Sequence, residues 1–122
     1  MDRLLGETIA VSRTRQDLDA KLTKKWLSSN AVREGLLTSL ILTLRETGDG
    51  GDVDTRVDRA AQEEFKRVQA DEEYAPPDAL RRVLAALEQR LGFDRLPPDA
   101  VGRHRALCEA LLAKVDPSSG YR

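Results

Sequence analysis

Ala31-Val32-Arg33-Glu34-Gly35-Leu36-Leu37-Thr38-Ser39-Leu40-Ile41-Leu42-Thr43-Leu44 decides the fold of this chain. Val32, Leu36, Leu37, Leu40, Ile41 and Leu44 recur at helical steps and share one broad face. Leu42 falls off that face, so this helix carries the most apolar surface and is expected to be the most buried. Its ends are signalled as well. Ser28-Ser29-Asn30 supplies side chains that cap a helix start. Thr47-Gly48 closes it, because glycine adopts the left-handed conformation that ends helices.

The same alternation of helical runs and stop signals continues toward the C-terminus. Asp49-Gly50-Gly51-Asp52 reads as a flexible turn, and a third helix follows with Asp54 or Thr55 as its cap. Its stripe of Val57, Ala61, Phe65 and Val68 is thin, which predicts a peripheral position. Pro76-Pro77-Asp78 opens a fourth helix, since proline is tolerated in a first turn and aspartate suits the positive end of the dipole. Leu80, Val83, Leu84, Leu87 and Leu91 form its face, and Gly92 ends it. Pro97-Pro98-Asp99 repeats the opening for a fifth helix, with Val101, Leu107, Leu111, Leu112 and Val115 apolar. The two Pro-Pro-Asp-Ala segments read as two good helix starts, being too few for a solenoid.

Toward the N-terminus, Leu4, Thr8, Val11, Arg15, Leu18, Leu22 and Trp26 fall on steps of three and four, the seam of a helix that packs along another. This predicts one long amphipathic helix over residues 2–27, roughly 40 Å at 1.5 Å per residue. The expected architecture is all-α: a bundle of about five helices in a single domain over residues 1–116. Within it the bundle proper occupies 29–115, and 117–122 form a flexible tail.

Composition agrees with that class. The 122 residues are 34% charged and 40% hydrophobic but only 4% aromatic, which suits amphipathic helices better than a β-sandwich. A formal net charge of -1 gives no global pull toward nucleic acid. Charge is uneven, with an acidic stretch over residues 46–73 that reads as a solvated helix face. A single cysteine, Cys108, excludes an intramolecular disulfide. The charged start and the lack of a long apolar run predict a cytoplasmic protein without a membrane span.

No residues converge on chemistry. His104 and Cys108 stand four apart on the fifth helix, half of a zinc site with no second pair, and His104 is expected at the surface with Cys108 buried. A Cys-His nucleophile would need an orienting third group and a pocket. The loop from Asp49 to Asp54 fails the EF-hand pattern, because Gly51 and Val53 occupy positions that need oxygen ligands. Glu63, Glu64, Asp71, Glu72 and Glu73 are adjacent in sequence and point several ways, unlike the carboxylates of a helical metal-dependent hydrolase. Catalytic, cofactor and metal residues are therefore expected to be absent.

The remaining candidates are contact residues. Leu4, Val11, Leu18, Leu22 and Trp26 are expected to form an interaction seam, with Trp26 as a packing anchor. The expected function is a non-catalytic interaction or adaptor protein that forms a homodimer or clasps a partner helix. The alternative is a nucleic-acid-associated regulator using Arg13, Arg15, Lys21, Lys24 and Lys25.

Leu18-Asp19-Ala20-Lys21-Leu22-Thr23-Lys24-Lys25-Trp26, Ser28-Ser29-Asn30-Ala31-Val32 and then Leu36, Leu40 and Leu44 resemble the N-terminal region of FOP-type centrosomal proteins. The LisH dimerisation motif of that family would fall on Leu80, Val83, Leu84, Leu87, Gly92 and Phe93, and the pattern departs from it at Pro97-Pro98. Leu36, Leu40, Leu44 and Gly48 are also similar to the small adaptor shared by the SAGA and mRNA-export complexes. Both resemblances imply helical dimerisation or adaptor roles.

Overall fold

A computed structural model describes residues 13–69 and 75–116. It contains α1 (Arg15–Leu22), α2 (Ser29–Glu46), α3 (Val53–Arg67), α4 (Pro77–Arg90) and α5 (Pro98–Leu112), with a 3-10 turn at Phe93–Arg95 before the last helix. The described residues are 74% helical and include no strand, so the chain is an all-α bundle.

α2 is the centre. Eleven of its 18 residues are buried, on more than one face, and it packs against all four other helices. A helix buried nearly all round needs apolar or internally satisfied side chains all round. Thr38 and Thr47 comply by donating their hydroxyls to the carbonyls of Glu34 and Thr43, four residues earlier. Gly35 allows the approach of α5: a Cβ built there would lie 3.0 Å from Leu111 Cδ1. One hydrophobic cluster spans the bundle, from Leu18 on α1 through Leu40 and Ile41 to Phe65, Leu80, Leu87 and Leu111.

The punctuation follows the sequence signals. Ser28 Oγ accepts the Ala31 amide, capping α2 at 3.1 Å. Gly48 and Gly92 take positive φ values of 99° and 77° where chains must reverse. α4 and α5 open on Pro77 and Pro98. For α3 the cap is neither Asp54 nor Thr55 but Asp52, whose Oδ1 accepts the Thr55 amide at 3.3 Å. α3 is also a full wall, not a peripheral helix, since it buries Val53, Val57, Ala60, Ala61 and Phe65 against α2 and α4.

The long helix over residues 2–27 is not formed within the described residues. Arg13 and Thr14 precede the helix; Thr14 Oγ1 accepts the Asp17 amide at 3.1 Å and starts α1 at Arg15. At the other end Thr23 Oγ1 donates to the Ala20 carbonyl at 2.7 Å, and the chain leaves the helix after Leu22. A tertiary pairing takes over. The Leu27 amide donates to the Lys114 carbonyl at 2.7 Å, and the Asp116 amide donates to the Leu27 carbonyl at 2.8 Å. This short parallel bridge straps the α1–α2 turn to the chain beyond α5. It satisfies backbone groups that a continuous helix would have used internally. Residues 1–12 and the expected tail over 117–122 lie outside the described residues.

Candidate functional site

Among the described residues, two places stand out against the rule of apolar inside and polar outside. The first is a buried polar relay joining three helices. α5 puts His104 and Cys108 on one inward face, α2 contributes Ser39 and α4 contributes Glu88. The His104 side chain is fully buried, which corrects the expected surface position. Its ring lies 4.9 Å from that of Phe93.

Ser39 Oγ is 2.7 Å from His104 Nδ1, and His104 Nε2 is 2.9 Å from Glu88 Oε2. The tautomer follows from donor and acceptor accounting. An ionised Glu88 only accepts, so Nε2 carries the hydrogen, and Nδ1 then accepts the Ser39 hydroxyl. Arg105 stands 3.5 Å from the second Glu88 oxygen. All three buried side chains are thereby satisfied, the condition under which a buried polar network fixes one packing arrangement.

This is the order of a nucleophile, a base and an orienting acid, so the third group lacking in the sequence is supplied by Glu88. The surroundings argue against catalysis. Ser39 is 3% exposed and sits mid-helix, where backbone amides are engaged along the helix and cannot face an oxyanion. The adjoining cleft has a volume of about 60 Å³, too little for an acyl substrate and its leaving group. Cys108, 3.7 Å from both ring nitrogens, is no nucleophile either. Burial pushes its thiol up to about 12, so it stays protonated at neutral pH.

The second place is the turn Lys24-Lys25-Trp26. Trp26 is 49% exposed, so it is not the internal anchor expected of it. Its backbone is nonetheless held. Leu27 is bridged to Val115, Ser28 caps α2, and Lys114 Nζ donates to the Lys24 carbonyl at 2.8 Å. Lys25 Nζ lies 5.9 Å from the centre of the indole ring. Lys24, Lys25 and Lys114 have no ion pair among the described residues.

The other expected contact residues separate. Leu18 is 1% exposed and belongs to the core, and Leu22 is half-buried against it. Leu4 and Val11 lie outside the described residues. The basic residues separate too. Arg13 reaches Glu34 at 3.2 Å and Asp58 at 2.8 Å, Arg15 pairs with Glu46, and Lys21 pairs with Asp17.

Of the acidic candidates, Glu63 and Glu64 serve as ties, and Asp71, Glu72 and Glu73 lie outside the described residues. Arg90 of α4 bonds both Glu63 and Glu64 of α3, at 2.7 and 3.0 Å. In the glycine loop Asp49 accepts from Arg56 and from the Gly51 amide, and these donors hold its carboxyl below the ordinary range. Among the described residues no group of three His, Cys, Asp or Glu side chains is placed to hold a metal ion. No described helix is long and apolar enough to cross a membrane.

The sequence signal for the relay was partial: the four-residue step shows His104 beside Cys108, but Ser39 and Glu88 come from other helices. Compared with protein-family models, curated proteins and solved structures, the chain matches none.

Proposed function

We propose that this chain is a non-catalytic interaction module that docks a protein partner on Trp26. The observation that carries the reading is a half-exposed indole on a backbone fixed from both sides. A large, rigid aromatic ring on a fixed backbone has few torsions to lose on binding, one reason tryptophan is enriched among the residues that dominate interface energetics. Lys24, Lys25 and Lys114 flank it, so the fitting partner surface has an apolar pocket with a carboxylate rim. The resemblance to helical dimerisation and adaptor regions points the same way.

α1 has eight residues and its Leu18 is internal, so among the described residues self-association rests on Trp26. Sedimentation equilibrium of wild type and Trp26→Ser at tens of micromolar tests it: a dimer that dissociates on substitution identifies a second copy as the partner. For a different protein partner, the proteins captured from native lysate by wild type must be lost with Trp26→Ser. Identical capture by both forms, with both monomeric, would end the proposal.

An aromatic ring between lysines also suits single-stranded nucleic acid, where bases stack on the ring and phosphates meet the cations. Quenching of Trp26 fluorescence by a mixed-sequence oligonucleotide, lost steeply with added salt, would favour that second reading.

A further inference from the structure

The bridge between Leu27 and Val115 leaves the other edge of Leu27 bare. Leu27 turns both of its backbone groups toward the strap: its amide donates to the Lys114 carbonyl at 2.7 Å, and its carbonyl accepts the Asp116 amide at 2.8 Å. No cis peptide bond occurs among the described residues. In a planar trans peptide the C=O and the N–H of one unit point in opposite directions. The Trp26 carbonyl shares its unit with the Leu27 amide, and the Ser28 amide shares its unit with the Leu27 carbonyl. Both therefore point away from the strap. Neither has a hydrogen-bond partner among the described residues, and Trp26 and Ser28 are both exposed.

An acceptor and a donor on either side of one residue are what a parallel strand pairs with. A residue set opposite Leu27 donates its amide to the Trp26 carbonyl and accepts the Ser28 amide on its own carbonyl. Leu27 already does the same to Lys114 and Asp116 on its other side. Side chains alternate along an extended chain. Leu27 is 6% exposed and belongs to the core, so Trp26 and Ser28 flank it on the open face.

Charge gives the kind of strand. Lys24 and Lys25 lead into the indole, and Lys114 is tied beside them through its bond to the Lys24 carbonyl. None of these lysines has an ion pair among the described residues, so a strand laid along this edge meets three uncompensated cations. A second copy of the same edge would set lysines against lysines.

We propose that the partner segment is an extended acidic peptide, added as a further strand parallel to Leu27. This rests on the docking reading of Trp26 and gives the partner its backbone conformation. The residue opposite Leu27 makes both backbone hydrogen bonds. The residue before it is apolar, lies beside the indole and forms one wall of the pocket that takes the ring. Carboxylates on either side of this pair meet the lysines. Main-chain bonds supply the affinity and side-chain pairing the selectivity, as in other strand additions.

The probe is the peptide acetyl-Glu-Asp-Phe-Val-Asp-Glu-amide, titrated into the full chain by calorimetry, with hydrogen exchange of the backbone amides as second readout. Saturable binding that slows exchange of the Ser28 amide is expected. Ser28 has a φ of -67°, which proline adopts. Ser28→Pro thus removes the amide hydrogen without reshaping the backbone, and Ser28→Ala controls for the lost cap. Ser28→Pro should bind about tenfold more weakly than Ser28→Ala, and N-methylation of the peptide's valine should cost wild type about as much. Equal binding by Ser28→Pro and Ser28→Ala, with binding lost in Trp26→Ser, would overturn the strand addition and leave docking on Trp26 standing. Undiminished binding by Trp26→Ser would end both. No saturable binding at about 1 mM peptide overturns the proposal. So does tighter binding of a mixed-sequence oligonucleotide that is indifferent to Ser28→Pro, which would assign the edge to nucleic acid.

Discussion

His104 and Trp26 invert each other. The imidazole is polar and fully inside, whereas the indole is the largest side chain in the molecule and half outside. Each is held by structure that its own type does not require. His104 needs Ser39 and Glu88 from two other helices to be tolerated in the core. Trp26 stands at the surface next to Leu27, whose backbone the bridge to Val115 holds. Buried polar groups and exposed large apolar groups are the informative exceptions in a soluble fold. Here the inside exception joins three helices, and the outside one is the residue on which the docking proposal rests.

The difference can be broken most forcefully at His104. Replacing it by alanine removes a ring from the core and leaves the Glu88 carboxylate, itself 9% exposed, without its main partner. A loss of about 3 kcal/mol is expected. Urea unfolding should show it as a lower midpoint at unchanged slope. A loss under about 0.5 kcal/mol, the ordinary range for surface positions, would mean that the relay adds nothing to packing.

Cys108 sharpens the same side of the contrast with a pH dependence. Burial raises its thiol from an ordinary value of 9.0 to about 12. Between these values the unfolded chain has lost the proton that the folded chain keeps. The stabilisation is therefore complete below about pH 9 and is lost as pH rises toward 12. The slope should be steeper in wild type than in Cys108→Ala by up to about 1.4 kcal/mol per pH unit. Parallel profiles for the two proteins would show that the thiol ionises without resistance.

Trp26 should show the smallest change in stability. Trp26→Ser is expected to cost about 1 kcal/mol, because only about half of the indole is covered. Its fluorescence in wild type should be open to quenching by acrylamide in the free protein and protected once a partner binds. A destabilisation of 2 kcal/mol or more, on the scale of about 2–5 kcal/mol for a core truncation, would place the ring in the core after all.

The sequence carried the fold well where the decisive physics is local. The proline starts at Pro77 and Pro98, the glycine ends at Gly48 and Gly92, and the six-residue face of α2 were all readable, since each acts within a turn or two of chain. It failed where tertiary pairing wins. Thr23, Lys24 and Lys25 are acceptable inside a helix, so nothing local marks the break that the bridge to Val115 enforces. The same holds for His104. Its partners are 65 and 16 residues away in sequence, and only the docking of α2 and α4 brings them together. Leu18 shows the converse: its spacing correctly marks a buried helical face, but the face turns to the monomer's own core.

The bridge between Leu27 and Val115 also bears on the order of folding. It closes a loop that includes nearly every described helix, so forming it early would incur the entropy of the whole chain before the core rewards it. The bundle should assemble first and the strap last. A contact absent from the transition state acts on unfolding rather than folding. Asp116→Pro, which removes the amide that donates to the Leu27 carbonyl, should thus speed unfolding and leave the folding rate nearly unchanged, with Asp116→Ala as the control for the side chain. The strap would then be a kinetic latch: it sets how long a folded molecule keeps its indole presented, and not how quickly a new chain reaches its native state.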